Sequence, residues 1–196
     1  MNLIKLSLFI LLILFITPIH GYACGSENNA CSHKDSKYSS DGKSCESNKE
    51  EYSCTDCFGK IKNLVGKWEG TLSNSDKNEA VSVVYELTSG GTALIEKHFP
   101  GTPNEMVTVY YNDSGKLNMT HYCVLGNQPQ MKLTSQSGNK LFFDYAGGSN
   151  IKTDKDPHMH SLVITMVDEN NIVQDWSMYE DGNKKSGTTV KLKRVN

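Results

Sequence analysis

From Phe58 onward, short apolar runs alternate with turn residues at almost even spacing, about ten strand-like segments with no room for a helix between them. A chain of consecutive hairpins must expose two sheet edges or close on itself. Closure removes the edges and leaves an interior able to hold a small molecule. The expected fold is all-β, an antiparallel up-and-down β-barrel of about ten strands formed by residues 58–196. A β-sandwich shares the rhythm of short strands but needs at least one long crossover, and the only long connection here is 146–157. Phe58, Ile61 and Leu64 stand at helical spacing and predict a short helical turn before the first strand.

Trp68, flanked by Gly66 and Gly70, anchors that first strand. Val81, Val83, Tyr85 and Leu87 alternate with mostly polar residues, and Ser89-Gly90-Gly91 reverses the chain. Further strands are expected at 92–99, 105–111, 116–124, 128–134, 140–145, 158–167, 172–179 and 188–195. The stretch 146–157 reads as a longer loop, and 180–187 as the last turn.

Residues 1–23 read as an export signal. Lys5 is their only formal charge, Leu6 to Ile16 is apolar apart from Ser7, Pro18 breaks the run, and Gly21-Tyr22-Ala23 offers small residues to a signal peptidase. The apolar run is shorter than the ~20 residues of a membrane span. Ala23-Cys24 also fits a lipoprotein signal, although Gly21 stands where an aliphatic residue is usual. The expectation is an exported protein, periplasmic or secreted, either free or held to a membrane through a lipid on Cys24. Losing residues 1–23 removes Lys5 and no acidic group, so the net charge of −2 becomes −3. No segment gathers enough Lys and Arg to follow a phosphate backbone, which argues against a nucleic-acid partner.

Residues 24–57 contain no Leu, Ile, Val, Met, Phe or Trp and should be disordered unless cross-linked. They nevertheless carry Cys24, Cys31, Cys45, Cys54 and Cys57, leaving only Cys123 in the barrel. Disulfides are the leading reading in an oxidising compartment. Cys54-Thr55-Asp56-Cys57 also has the spacing of two zinc ligands, with Cys31 and His33 to complete a site, or of a redox pair. A thioredoxin-like reading needs a βαβ context that is absent.

Strand alternation puts Met119, His121 and Cys123 on one face, and His158 and His160 on one face of theirs, about 7 Å apart along the chain. Imidazoles so placed can converge on one ion. His121, Cys123, His158 and His160 are therefore candidate ligands for Zn²⁺ or copper, with Cys54 and Cys57 a weaker pair. The bland alternative is a packed His121 and a His158 bonded to the loop before it. His98 shares a face with Glu96 but precedes Pro100-Gly101, where a solvent-facing loop is expected. No nucleophile elbow, Walker motif or Rossmann fingerprint is present, and nothing nominates a reaction.

Phe99-Pro100-Gly101-Thr102-Pro103, Thr120-His121-Tyr122-Cys123, Gly126-Asn127-Gln128-Pro129-Gln130-Met131, His158-Met159-His160-Ser161-Leu162 and Asp175-Trp176 followed by Tyr179-Glu180-Asp181-Gly182 resemble the motifs of small, often exported bacterial proteins with a lipocalin-like (calycin) barrel. That resemblance spans most of residues 64–194 and implies the fold, with no attached reaction. Gln130 stands where that family usually has a basic residue, and Asn104 where it usually has His. Leu64-Val65-Gly66-Lys67-Trp68-Glu69-Gly70 is similar to the start of the ten-stranded haem-binding barrels called nitrobindins, which implies haem iron bound by a late-strand histidine, here His158 or His160.

The leading functional expectation is an exported barrel that binds a small apolar or amphipathic molecule. Trp68, Tyr85, Tyr110, His121, Phe143 and Trp176 would line its interior. The alternative is an exported metal-binding (Zn or Cu) or haem-binding barrel that uses His121, His158 and His160.

Overall fold

The computed structural model describes Cys54, residues 56–75 and residues 77–195. The expected export signal, Cys24 and its lipid, and Cys31, His33 and Cys45 lie outside the described residues. One short helix, α1 (Cys57–Lys62), precedes ten strands. These are β1 (Gly66–Ser73), β2 (Asn78–Thr88), β3 (Ala93–His98), β4 (Met106–Asp113), β5 (Lys116–Tyr122), β6 (Gln128–Ser137), β7 (Lys140–Ser149), β8 (His158–Asp168), β9 (Asn171–Glu180) and β10 (Asn183–Val195). Each strand pairs antiparallel with its sequence neighbours, and β1 pairs with β10, closing the barrel. The all-β, ten-stranded closed barrel is thus the observed fold.

The strands differ from the sequence reading where the backbone, not the side-chain pattern, decides. β7 runs to Ser149 because Gly147 and Gly148 pair with Gln130 and Pro129, and Gly147 takes a φ of +119° that a side chain disfavours. The last hairpin turns on Asp181-Gly182, with φ of 53° and 73°, the primed geometry that matches strand twist. β10 therefore begins at Asn183, and the segment expected to be a loop pairs instead, with a bulge between Lys184 and Ser186. Pairing of β5 with β6 covers only Asn118 to Thr120, and after Tyr122, which still pairs with Val107, the chain from Cys123 to Asn127 leaves the wall. It is held as a tight turn by Cys123 N–H donating to Asn127 O and Gly126 N–H donating to Cys123 O.

α1 closes one end. Phe58 and Ile61 are buried on one face, Leu64 follows them into the core, and the Trp68 indole N–H donates to Leu64 O at 2.7 Å. Lys60 and Lys62 lie in the last turn, where the helix dipole favours cations. A Cys54–Cys57 disulfide ties the preceding chain to the helix start. Both thiols are consumed, which removes the weaker metal pair. Arg194, at the far end of β10, stacks over the Trp68 ring at 4.3 Å and donates to Val65 O, Asn63 O and Glu169 O. It locks the junction of helix and first strand to the last strand. Gly70 allows β1 and β10 to approach there, since a Cβ on it would run into the Lys191 carbonyl.

Within the barrel, the half nearer α1 is filled by side chains: Trp68, Tyr85, Leu94, Tyr110, Met119, Met131 and Phe143 are all buried. Trp68 meets Tyr85, and Tyr110 meets Phe143, edge to face at 6.4 and 6.0 Å. The other half is not filled.

Candidate functional site

A polar layer crosses the barrel where the packing ends. Glu96, from β3, is fully enclosed. Tyr85 OH from β2 donates to its Oε1 at 2.8 Å, and Tyr110 OH from β4 donates to Oε2 at 2.7 Å. From the opposite wall, Gln174 on β9 donates through Nε2 to Glu96 Oε1 at 2.5 Å. Trp176 Nε1, a donor only, gives its proton to Gln174 Oε1 at 3.3 Å, which fixes the orientation of that amide. His98 Nε2 lies 3.1 Å from both Glu96 Oε1 and Gln174 Oε1.

Burial by itself would push the Glu96 carboxyl up. The His98 charge and the hydrogen bonds from His98, Tyr110 and Gln174 outweigh it and bring its pKa down to about 2. Burial likewise opposes charge on His98, and the carboxylate beside it wins, so the His98 pKa is raised. The pair is therefore an ion pair inside the barrel. Burial first, and then Glu96, push the Tyr85 and Tyr110 phenols well up, so both remain donors.

Above this layer lies a cavity of about 250 Å³. His98, His121 and Trp176 border its inner part, and Leu72, Met106, Met159, Met178 and Val190 its walls. Ser186 and Thr188 add hydroxyls. Cys123, Val124 and Leu125 lean over it from the turn that leaves the wall, and Val124 and Leu125 are 60% and 51% exposed, an apolar lip. His121 Nδ1 lies 2.9 Å from Thr108 Oγ1, and its ring rests against Trp176 with centroids 4.9 Å apart. Burial, then repulsion from His98, lowers its pKa to about 4 despite Glu96, so it is neutral. The Cys123 thiol is pushed up by burial, against opposing bonds to the Leu125 and Val124 backbone.

Asn127 Oδ1 is the only fully enclosed side-chain polar atom without a partner among the described residues. His98 Nδ1 and His121 Nε2 also bond no described group, but they border open space. A larger hollow of about 550 Å³ lies between the residues that follow α1, Asn63 and Leu64, and the turn from β8 to β9, beside Arg194, whose guanidinium is already bonded to carbonyls.

The six residues expected to line a ligand site divide. His121 and Trp176 border the cavity, whereas Trp68, Tyr85, Tyr110 and Phe143 belong to the packed half and to its polar boundary. The four expected metal ligands also divide. His121 and Cys123 share the cavity, while His158 and His160 form a separate cluster. His158 Nδ1–H donates to Asp156 O at 2.7 Å, so its Nε2 accepts from His160 Nδ1 at 3.0 Å. His160 stacks on Tyr179 with centroids 3.9 Å apart, and Tyr145 covers both rings. A bulge between Met159 and Ser161 turns Met159 to the cavity and separates the histidines from it. Among the described residues no three His, Cys, Asp or Glu side chains come together as a metal site. Haem does not fit the cavity: about 250 Å³ is below the roughly 300–1,000 Å³ of cofactor and drug-sized sites.

His98 is the residue that sequence reasoning misplaced, and Glu96 the one to which it gave no role. His98 is 4% exposed, not at a solvent-facing loop, because the chain reverses one residue later, at Phe99, whose φ is 53°. Their shared face with Tyr85 and Tyr110 on flanking strands was the available signal.

The titrations give the barrel a stability maximum near neutral pH. His121 is lowered from 6.5 to about 4, so its neutral form stabilises fully above 6.5, and that contribution is lost as pH falls through 4. The His160 pKa is lowered too, by burial and then His158, and acts in the same sense. The Glu96 contribution is complete above 4.5 and lost towards 2. His98, raised, stabilises fully below 6.5 and loses its part as pH rises through its higher value. Denaturant melts should show a loss of about 3 kcal/mol between pH 6.5 and 4 from His121. A flat profile over that range would contradict this electrostatic assignment.

No protein-family model matches the chain, and no curated protein matches it. Among solved structures, a protein of unknown function from the DUF3598 family of Nostoc punctiforme is similar at 15% identity and a TM-score of 0.49. The match covers 69% of this chain and 49% of that one, so the chain spans about half its length. A likeness at this level carries no argument.

Proposed function

We propose that the protein is an exported, lipocalin-like binding barrel whose open half takes up one small apolar or amphipathic molecule. The observation that carries this reading is the cavity of about 250 Å³, apolar on its walls and lip and bordered inside by two imidazoles. A barrel needs only side chains to fill its interior. Here a hydrogen-bonded polar layer stops the packing halfway, and three flexible methionines, Met106, Met159 and Met178, surround what is left. The volume suits a molecule smaller than a typical drug. Export is supported by the signal-like residues 1–23, and a lipid on Cys24 would hold the barrel at a membrane surface.

Calorimetric titration of the purified protein with a small apolar aromatic such as cumene tests this reading. Saturable one-to-one binding is expected. Absence of saturable heat with cumene and with its polar analogues would overturn it.

A further inference from the structure

We propose that this cavity selects a neutral molecule whose apolar body ends in a carbonyl oxygen, such as a ketone, ester or amide, over a hydrocarbon or a carboxylate of the same size. The inference rests on the binding reading above and adds the chemistry of the head group.

It starts from two ring nitrogens. Thr108 is fully enclosed, and the proton of its hydroxyl has no acceptor among the described residues other than His121 Nδ1, 2.9 Å away. Nδ1 therefore accepts, the neutral ring carries its proton on Nε2, and that N–H borders the cavity. His98 is 4% exposed, and its Nε2 faces two oxygens, Glu96 Oε1 and Gln174 Oε1, each at 3.1 Å. Beside that carboxylate the ring is an imidazolium, so Nδ1 is a second donor with no described partner. Two N–H groups on side chains more than nine-tenths buried thus border one apolar space.

A hydrocarbon entering that space would displace water and leave both donors unsatisfied, a penalised arrangement. An oxygen acceptor would satisfy one or both. A carboxylate would also accept, but the charges here already cancel, one from Glu96 against one from His98. Among the described residues no Lys or Arg lines the cavity. His121, with its pKa near 4, resists supplying the missing positive charge at neutral pH. The thiol of Cys123 and the hydroxyls of Ser186 and Thr188 bring dipoles and no charge. The balance favours a neutral acceptor.

Acetophenone, cumene and benzoate have the same number of heavy atoms and separate the cases. At pH 7, acetophenone is expected to bind at least about tenfold more tightly than either of the others. Its binding should shift the ¹⁵N resonances of His121 Nε2 and His98 Nδ1. In His121→Phe the advantage over cumene should shrink, and because the three-ligand comparison uses the unmodified protein, poor folding of that variant leaves the test intact. Equal binding of cumene and acetophenone would overturn the carbonyl inference and leave the binding reading standing, as would tightest binding by benzoate. Failure of all three to bind would overturn both.

Discussion

Replacing Glu96 with Ala should lower the unfolding free energy by about 3–5 kcal/mol, the usual consequence of deleting one member of a buried ion pair. The carboxylate accepts from Tyr85, Tyr110, Gln174 and His98, and the two phenols and the Gln174 amide are sealed from solvent. Deletion orphans the hydroxyl protons of Tyr85 and Tyr110 and leaves the His98 charge uncompensated, while Gln174 keeps its contacts to Tyr85 and His98. Folded domains are typically stable by about 5–15 kcal/mol, so the variant should sit close to the edge of folding. Glu96→Gln is the informative companion. It keeps an acceptor for the tyrosines but removes the charge, so burial alone would then act on His98 and drive its pKa below the ordinary value. Chemical denaturation of both variants, with a histidine NMR titration of the second, checks this. A loss below about 1 kcal/mol in Glu96→Ala would mean that the layer is not the hydrogen-bonded unit described.

Thr188→Trp should abolish ligand binding while leaving the barrel folded. Thr188 lies opposite Trp176 on the neighbouring strand and borders the cavity, so an indole placed there extends into the open half and not into packed neighbours. Overpacking a filled core costs about 1–3 kcal/mol. Filling a real hollow adds contacts instead, so stability should be unchanged or higher. Affinity for cumene or acetophenone should fall by more than about a hundredfold, since exclusion by volume is the strongest form of discrimination. Unchanged affinity would place the ligand elsewhere, and a destabilised variant would mean that the hollow is not there.

Much of the architecture could be read from the sequence, because strand alternation and turn chemistry are local. The hairpin rhythm, the Trp68 anchor and the helical spacing of Phe58, Ile61 and Leu64 all rest on residues close in the chain. What alternation cannot convey is depth along the barrel axis. Trp68, Tyr85, Tyr110 and Phe143 point inward like His121 and Trp176, yet the first four are below or within the polar layer and the last two border the cavity. Bulges are also invisible to a period-two pattern. The one at His160 moves Met159 to the cavity and leaves His158 and His160 bonded to each other. His98 misled for a third reason: Pro100-Gly101 correctly marks a loop, but strand β3 stays paired to Val83 and Met106 through His98. The Glu96–Gln174 contact crosses the barrel between residues 78 apart in the chain. No local pattern announces such a meeting.

The most direct measurement labels the methionine methyl groups with ¹³C and follows them by NMR as acetophenone or cumene is added. Met106, Met159 and Met178 border the cavity, whereas Met119 and Met131 are sealed in the packed half. The account predicts saturable shifts of the first three with the last two unmoved. Shifts confined to other methyl groups, or none at ligand saturation, would contradict a binding site in the open half of this barrel.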